Sequence, residues 1–164
     1  MADTLAKFPP DVIVGEPPRG KILVIDDEPD IRESLETLLS NENYRVELAA
    51  NATEGLKRLE TSPYDLVLLD LMMPDKSGMQ VLEEVRARDQ ETPIFMITAY
   101  GSVEVAVNAL KHGASDYFAK PWDNEKLLIE IDHMISRRRF RIRPPRRFRR
   151  RSPLRWAPSH GLIG

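Results

Sequence analysis

The sequence predicts an α/β fold, a doubly wound parallel sheet of five strands with helices on both faces. Two observations predict it. Short apolar runs, too short for free-standing helices, alternate strictly with amphipathic segments of helical period. Several of these runs also stop abruptly at a polar or charged residue, as buried parallel strands do at the carboxyl edge of a sheet, where open α/β folds place their ligands. The clearest is Leu66-Val67-Leu68-Leu69, which ends in Asp70, with Pro74 four residues on. A charge is expensive to bring to the edge of an apolar core, so Asp70 is expected to have a partner or a metal.

The elements follow in order. Residues 1–20 carry Pro9-Pro10 and Pro17-Pro18 with little periodicity and are expected to be an extended, disordered leader. Lys21-Ile22-Leu23-Val24-Ile25 is a β-branched run that ends in Asp26-Asp27-Glu28. Ile31, Leu35, Leu38 and Leu39 follow at helical spacing, with Pro29 suited to the first turn. Residues 44–48 alternate in the manner of a strand nearer the sheet edge. Asn51 caps a helix in which Ala52, Leu56 and Leu59 share a face, with Glu54 completing a capping box and Ser62-Pro63 ending it.

The central strand is expected over 65–69, then a loop over 74–78 and a helix that turns Val81, Leu82 and Val85 inward. Thr92-Pro93 opens a fourth strand, Ile94-Phe95-Met96-Ile97, which ends at Thr98. Ser102 caps a helix with Val103, Ala106, Val107 and Leu110 on one stripe, and Gly113 stands where a C-terminal cap belongs. A short strand around Asp116-Tyr117-Phe118 runs into Lys120-Pro121. The last helix is expected over 123–136, burying Leu127, Leu128, Ile131, Met134 and Ile135. Strict alternation of this kind implies right-handed crossovers.

Composition narrows the class. At 164 residues the chain is one domain with a tail, long enough to bury a core. It has no cysteine, which excludes disulfides and thiolate zinc sites. The start lacks the basic and apolar pattern of a signal peptide, and no run approaches the roughly 20 apolar residues of a membrane span, so a cytoplasmic protein with no membrane partner is expected. The net charge of −2 conceals an asymmetry. Eleven of the 24 basic residues, all arginine, lie in 137–164, which has no acid. The other 13 face 26 acids in 1–136, a net of −13.

Asp26, Asp27, Asp70, Thr98 and Lys120 all stand at the carboxyl end of a proposed strand, on four different strands. In a parallel sheet those ends face one way, so the residues can converge on one crevice. Each has an ordinary explanation by itself: helix-capping acids, a β-branched strand residue, a solvated lysine. Five at equivalent positions are harder to explain so. Clustered carboxylates repel, and oxygen ligands with no His or Cys nearby favour Mg2+ as the ion that relieves the repulsion. A lysine and a threonine hydroxyl in the same crevice suit a phosphoryl group, with Asp70 as nucleophile of an acyl phosphate. Phosphoryl transfer otherwise needs mostly positioning and neutralisation.

The motifs Ile-Asp-Asp-Glu at 25–28, Asp-Leu-Met-Met-Pro-Asp-Lys-Ser-Gly at 70–78, Ile-Thr-Ala-Tyr at 97–100 and Asp-Tyr-Phe-Ala-Lys-Pro at 116–121 resemble, in this order and spacing, a response-regulator receiver domain. The stretches 98–104 and 120–123 resemble receivers of the NtrC class, which control AAA+ activators working with sigma-54 polymerase. The resemblance implies a CheY-like, flavodoxin-like three-layer sandwich with strand order 2-1-3-4-5, the receiver spanning 20–136 between a leader at 1–19 and a disordered Arg/Pro-rich tail or linker remnant at 137–164. It implies that Asp70 accepts a phosphoryl group from a sensor histidine kinase. It implies Mg2+ held by Asp27, Asp70 and the Met72 backbone carbonyl, with Asp26 acting through water. Thr98 and Lys120 would contact the phosphoryl group, with Thr98 and Tyr117 as the switch pair and Lys120-Pro121 as a cis bond. Such a domain is a signalling phosphoacceptor that assists its own phosphorylation and dephosphorylation, not a turnover enzyme.

The same resemblance implies that Met72 and Tyr100 flank the attacking water. Both are bulky and neither is an acid or amide, so slow self-dephosphorylation is expected. It also implies a homodimer through the face of helix 4, strand 5 and helix 5, and a downstream AAA+ output domain absent from this chain. Three alternative readings remain open at this point. A phosphohydrolase with an aspartate nucleophile wants an acid two residues after it, where Met72 stands. A nucleic-acid-binding protein would work through the tail, whose arginines interleave with Phe140, Phe148 and Trp156 but form no helix-turn-helix pattern. A phosphate-independent pseudo-receiver scaffold is opposed by the intact residue set. His112, His133 and His160 show no ligand spacing.

Overall fold

A computed structural model describes residues 17–142. Ten elements alternate: β1 (Lys21–Ile25), α1 (Pro29–Ser40), β2 (Arg45–Ala49), α2 (Ala52–Thr61), β3 (Leu66–Leu69), α3 (Gly78–Arg86), β4 (Ile94–Thr98), α4 (Val103–Lys111), β5 (Asp116–Ala119) and α5 (Asn124–Ile142). All strand pairs are parallel and the sheet order is β2-β1-β3-β4-β5, so β2 is an edge strand as its alternation suggested. Among the described residues no helix is long and apolar enough to cross a membrane.

The strand period of two sorts the core into two layers. Leu23 and Ile25 of β1, Val67 and Leu69 of β3, and Ile94 and Met96 of β4 face one side, against Leu56 of α2, Val81, Leu82 and Val85 of α3, and Ala109 of α4. Ile22, Val24, Leu66, Leu68, Phe95 and Ile97 face the other, against Leu35 and Leu39 of α1 and Leu127, Ile131 and Ile135 of α5. Three helices on one face and two on the other make the three-layer sandwich. Because β1, β3 and β4 are buried on both faces, they read as unbroken apolar runs.

The helix ends depart from expectation in three places. Asn51 does cap α2, its Oδ1 accepting the Glu54 amide at 2.8 Å, but the Glu54 carboxylate accepts from the Ala50 amide, one residue outside the expected box. A complete capping box occurs instead at α3, between Ser77 and Gln80. The third departure is α5, which crosses the boundary expected at 136 and runs to Ile142. Arginine is a good helix former, and Arg138 Nη1 donates to the Tyr64 carbonyl at 3.2 Å, which fixes the extra turn against the start of β3. Residues 137–142 are therefore helix and not disordered tail. The leader is likewise shorter than expected: Arg19 N–H donates to the Asn43 carbonyl at 2.8 Å, and Asn43 Nδ2 to the Pro17 carbonyl at 3.1 Å. The readings of 1–16 and 143–164 lie outside the described residues.

The stripe on α4 is turned the other way from a core stripe. Val103, Val107 and Leu110 are 80%, 44% and 47% exposed, while Ala109 is buried. Ala109 and the partly buried Val105 seat α4 on the sheet, and Val103, Val107 and Leu110 are left facing out. Gly113 closes the helix as expected, with φ +109°.

The loop from β3 to α3 is held at both ends. Gly78 N–H donates to the Leu71 carbonyl at 2.7 Å, and a Cβ at Gly78 would lie 2.2 Å from the Asp70 carbonyl oxygen, so only glycine lets α3 start this close to the strand end. Between them, Asp75 reaches across to α2 and accepts from the Ala52 amide (3.2 Å), the Thr53 amide (2.9 Å) and the Thr53 hydroxyl (2.8 Å). Desolvation is the largest single influence and opposes ionisation, but the hydrogen bonds from Thr53 and Ala52 together outweigh it and hold the Asp75 carboxyl down at about 2.

Removing this second cap in Asp75→Ala is expected to cost about 1 kcal/mol of unfolding free energy at pH 7. A carboxyl whose folded value is depressed stabilises the fold above its ordinary value of 3.8 and loses that effect as pH falls toward about 2. The gap between wild type and Asp75→Ala in urea melts should therefore narrow through that acid window. A gap independent of pH would show that the carboxylate charge plays no part.

Candidate functional site

The sheet register brings the acidic residues together. Ile25 pairs with Leu69 across β1 and β3, so the next residues, Asp26 and Asp70, emerge side by side. Their backbones extend the ladder: Asp26 N–H donates to the Ala49 carbonyl (3.1 Å), Asp70 N–H to the Ile25 carbonyl (2.9 Å) and Lys120 N–H to the Thr98 carbonyl (2.9 Å). Each functional side chain thus hangs from the last rung of the sheet. Asp26 is 2% exposed and Asp70 5%, while Asp27 is half-buried. Carboxylate oxygens of Asp26, Asp27 and Asp70 all lie within 4.8 Å of one another.

Lys120 enters the cleft from the end of β5, immediately before a cis Lys120-Pro121 bond. Its Nζ lies 2.9 Å from Asp26 Oδ2, 2.8 Å from Glu28 Oε1 and 3.6 Å from Asp70 Oδ1. Burial alone would lower the ammonium's pKa, but hydrogen bonds to Glu28 and Asp26 more than offset it and the value is raised. Asp70 is pushed up to about 6, first by burial and then by the neighbouring charge of Asp26, against the pull of Lys120 and a hydrogen bond from the Met72 backbone. Burial also raises Asp26, whose Oδ1 accepts the Glu28 amide at 2.9 Å. A basic, poorly solvated carboxylate beside fixed positive charge has the properties of an oxygen nucleophile.

The cleft above these groups has a volume of about 450 Å³ and is lined by Asp27, Glu28, Asp70, Met72 and Lys120, with Met73, Pro74, Ala99 and Tyr100 completing its walls. The donor set fits Mg2+: three carboxylates in reach of one centre, two of them buried, with no histidine or cysteine in the cleft lining. Asp27 and Asp70 would hold the ion, which would neutralise the cluster and leave water positions open to a phosphoryl oxygen.

The structure thus joins Asp26, Asp27, Asp70 and Lys120 in one cluster, with Met72 and Tyr100 on the walls. Thr98 is apart from them. It is fully buried, is not part of the cleft lining, and its Oγ1 accepts the Tyr100 amide at 3.1 Å. Tyr117 is half-buried on the α4 side of the sheet, and its hydroxyl is buried with no hydrogen-bond partner among the described residues. It lies over Gly101, where a Cβ would stand 1.9 Å from the phenol oxygen. His112 and His133 are exposed, and His112 Nδ1 contacts the Asn108 carbonyl.

Two participants were not singled out from the sequence. Glu28 binds Lys120, and Arg32 Nη1 donates to the Asp26 carbonyl at 2.7 Å. An acid directly after Asp26-Asp27 was visible but reads as another helix-start charge. Arg32 reads as a solvated position of α1, and no periodicity reveals a bond to a strand carbonyl.

Comparison with known proteins places this geometry. The family described as response regulator receiver domain matches residues 22–132. The transcriptional regulatory protein DltR of Streptococcus agalactiae is 43% identical over 111 residues, 68% of this chain and 50% of that protein. The response regulator protein PilR of Pseudomonas aeruginosa, an NtrC-like regulator, is 44% identical over 109 residues, 66% of this chain and 24% of that protein. The chain therefore spans half or less of the length of these relatives. Among solved structures, a CheY-like receiver domain from Methanospirillum hungatei superposes with a TM-score of 0.69 at 35% identity, covering 72% of this chain and 94% of that one. NtrX from Brucella abortus superposes with a TM-score of 0.70 at 30% identity, covering 88% and 31%. Fold, acidic cleft and sequence relationship agree: the chain belongs to the response-regulator receiver domain family, a signalling module of two-component systems.

Proposed function

We propose that Asp70 is the phosphoacceptor of this receiver and that a sensor histidine kinase is its donor. The observation that carries the reading is the convergence of Asp26, Asp27, Asp70 and Lys120 on one cleft at the carboxyl edge of the sheet. An Asp70 oxygen attacks phosphorus, its bond to the phosphoryl group forms, and the bond to the donor imidazole nitrogen breaks with its electron pair staying on the ring. With its value near 6, Asp70 is predominantly carboxylate at neutral pH. Mg2+, when bound by Asp27, Asp70 and the Met72 carbonyl, supplies positive charge for the phosphoryl oxygens, with Asp26 reaching it through water. That indirect role suits a side chain whose two oxygens already accept from Glu28 and Lys120. Lys120 donates to a phosphoryl oxygen, and Thr98 does so after releasing the Tyr100 amide.

The switch pair in this reading is Thr98 and Tyr117. A buried hydroxyl without a partner costs about 1–3 kcal/mol, so Tyr117 has a standing reason to move when Thr98 vacates its place. New bonds to the phosphoryl group supply the differential energy between the two states. The output face is α4, β5 and α5, and its occupant is a second copy of the chain. The outward Val103, Val107 and Leu110, with Tyr100 (64% exposed) beside them and Ile129 (54%) on α5, supply the apolar area. The wider regulator would act on transcription through an output domain.

Incubation with Mg2+ and acetyl phosphate is expected to add one phosphoryl group to the intact mass of wild type and none to Asp70→Asn; no gain in either removes the proposal. The phosphorylated state should decay over minutes or longer, because Met72 and Tyr100 offer no group to orient water. Met72→Asn restores about one hydrogen bond to that water and should shorten the half-life roughly 5-fold. A wild-type half-life of seconds contradicts this. Light scattering with Mg2+ and beryllofluoride should show a doubled mass for wild type and a monomer for Val107→Asp; an unchanged wild-type mass removes the dimer.

A further inference from the structure

We propose that Glu28 is a positioning residue for phosphoryl transfer, a competing anchor that holds the Lys120 ammonium off Asp70 until a phosphoryl group draws it across. The inference rests on the reading of Asp70 as phosphoacceptor. Glu28 occupies the residue before α1, where short polar side chains normally accept from the free amides of the first turn. It makes no such bond. Its carboxylate reaches instead to a lysine 92 residues away in sequence, with Oε1 2.8 Å from Nζ.

An ammonium has three protons to place. The distances assign two of them to the β1 side of the cleft, one to Glu28 at 2.8 Å and one to Asp26 at 2.9 Å, while Asp70 at 3.6 Å is beyond hydrogen-bond range. The lysine side chain is 8% exposed, so it has little water to exchange these partners for. The two anchors differ in how easily they let go. The Asp26 side chain is 3% exposed and would be stranded by losing Lys120, whereas the Glu28 side chain is 58% exposed and its carboxylate passes into water at little cost. A phosphoryl group on Asp70 carries between one and two negative charges and strong acceptor oxygens. It outbids a single solvated carboxylate, so Lys120 shifts toward Asp70 and Glu28 is released. Before phosphorylation the same contact favours the unphosphorylated state, and its removal favours the other.

Glu28 also lines the cleft, so its charge could repel an anionic ligand directly. A double-mutant cycle separates the two effects. Binding of beryllofluoride in saturating Mg2+ is measured by calorimetry for wild type, Glu28→Gln, Lys120→Met and the double variant. Glu28→Gln should tighten binding by roughly 3-fold, the scale of a partly exposed ion pair, and the gain should vanish in the Lys120→Met background. An equal gain in both backgrounds means direct repulsion and overturns the proposal, as does no change or weaker binding in Glu28→Gln alone. Should Lys120→Met not bind beryllofluoride, a crystal structure of Glu28→Gln decides: Lys120 Nζ is expected within about 3.2 Å of an Asp70 oxygen, and a lysine that has not moved toward Asp70 refutes the anchor. Wild type that fails to bind beryllofluoride refutes the phosphoacceptor reading itself, whereas wild type that binds without coupling between Glu28 and Lys120 refutes only the role of Glu28.

Discussion

The contact on which the structure turns is that of the Lys120 ammonium with the buried carboxylates at the end of β1 and β3. Asp26 and Asp70 are nearly inaccessible and adjacent, an arrangement that raises the proton affinity of both. Uncompensated, it would oppose folding. The lysine offsets part of the cost and the sheet enforces the rest, because the backbones of Asp26, Asp70 and Lys120 are last rungs of the ladder and cannot back away without breaking it. The fold therefore holds charge density in place where a cation and an anion can relieve it. A site built this way gains more from ligands than a relaxed one would.

In the proposed switch, relief at the cleft would be felt beyond it through strand ends that neighbour the charges. Thr98 ends the same strand whose following loop contains Tyr100 and Gly101, and Tyr117 packs over that loop from β5 with its hydroxyl unsatisfied. Because Thr98 Oγ1 holds the Tyr100 amide, a change at that hydroxyl would in this reading alter the loop at the start of α4, whose Val103, Val107 and Leu110 face outward. The path from charge to surface is three residues of backbone and one phenol ring, short enough to need no longer network.

How far the sequence went can be judged from particular residues. The ends of β1, β3 and β4 were legible to the residue or nearly so, because a strand buried on both faces shows as an apolar run and its carboxyl end as the first polar residue, an aspartate after β1 and β3 and Thr98 in β4. The clustering of Asp26, Asp27 and Asp70 followed from topology alone. The outward face of α4 was not legible, since Val103, Val107 and Leu110 have the spacing of a core stripe and only the packing of Ala109 against the sheet reveals their direction. The caps were half legible: Asn51 and Ser102 act as expected, but the reach of Glu54 to Ala50 depends on the path of the chain before the helix. The roles of Glu28 and Asp75 depend on partners 92 and 22 residues distant, which local pattern cannot supply.

The two poles of the sheet are built on opposite principles, and this bears on α5. At the amino-terminal pole opposite charges are matched: Lys21 and Arg58 pair with Glu47, Arg19 with Asp132, and Arg138 with Asp65 while donating to the Tyr64 carbonyl. These contacts hold strand starts and helix ends together, although Arg58 Nε and Arg138 Nε are buried with no hydrogen-bond partner among the described residues. At the carboxyl-terminal pole acids outnumber the single buried base. The final turns of α5 are bound to the matched pole, so they do not move with the cleft directly. Any signal that leaves along α5 must come through its first half, where Leu127 and Ile131 pack on β1, β3 and β4. In the proposed switch, sensitivity would lie at the end of the domain that carries the cleft, and the ion pairs at the other end would give the moving parts a frame against which to shift.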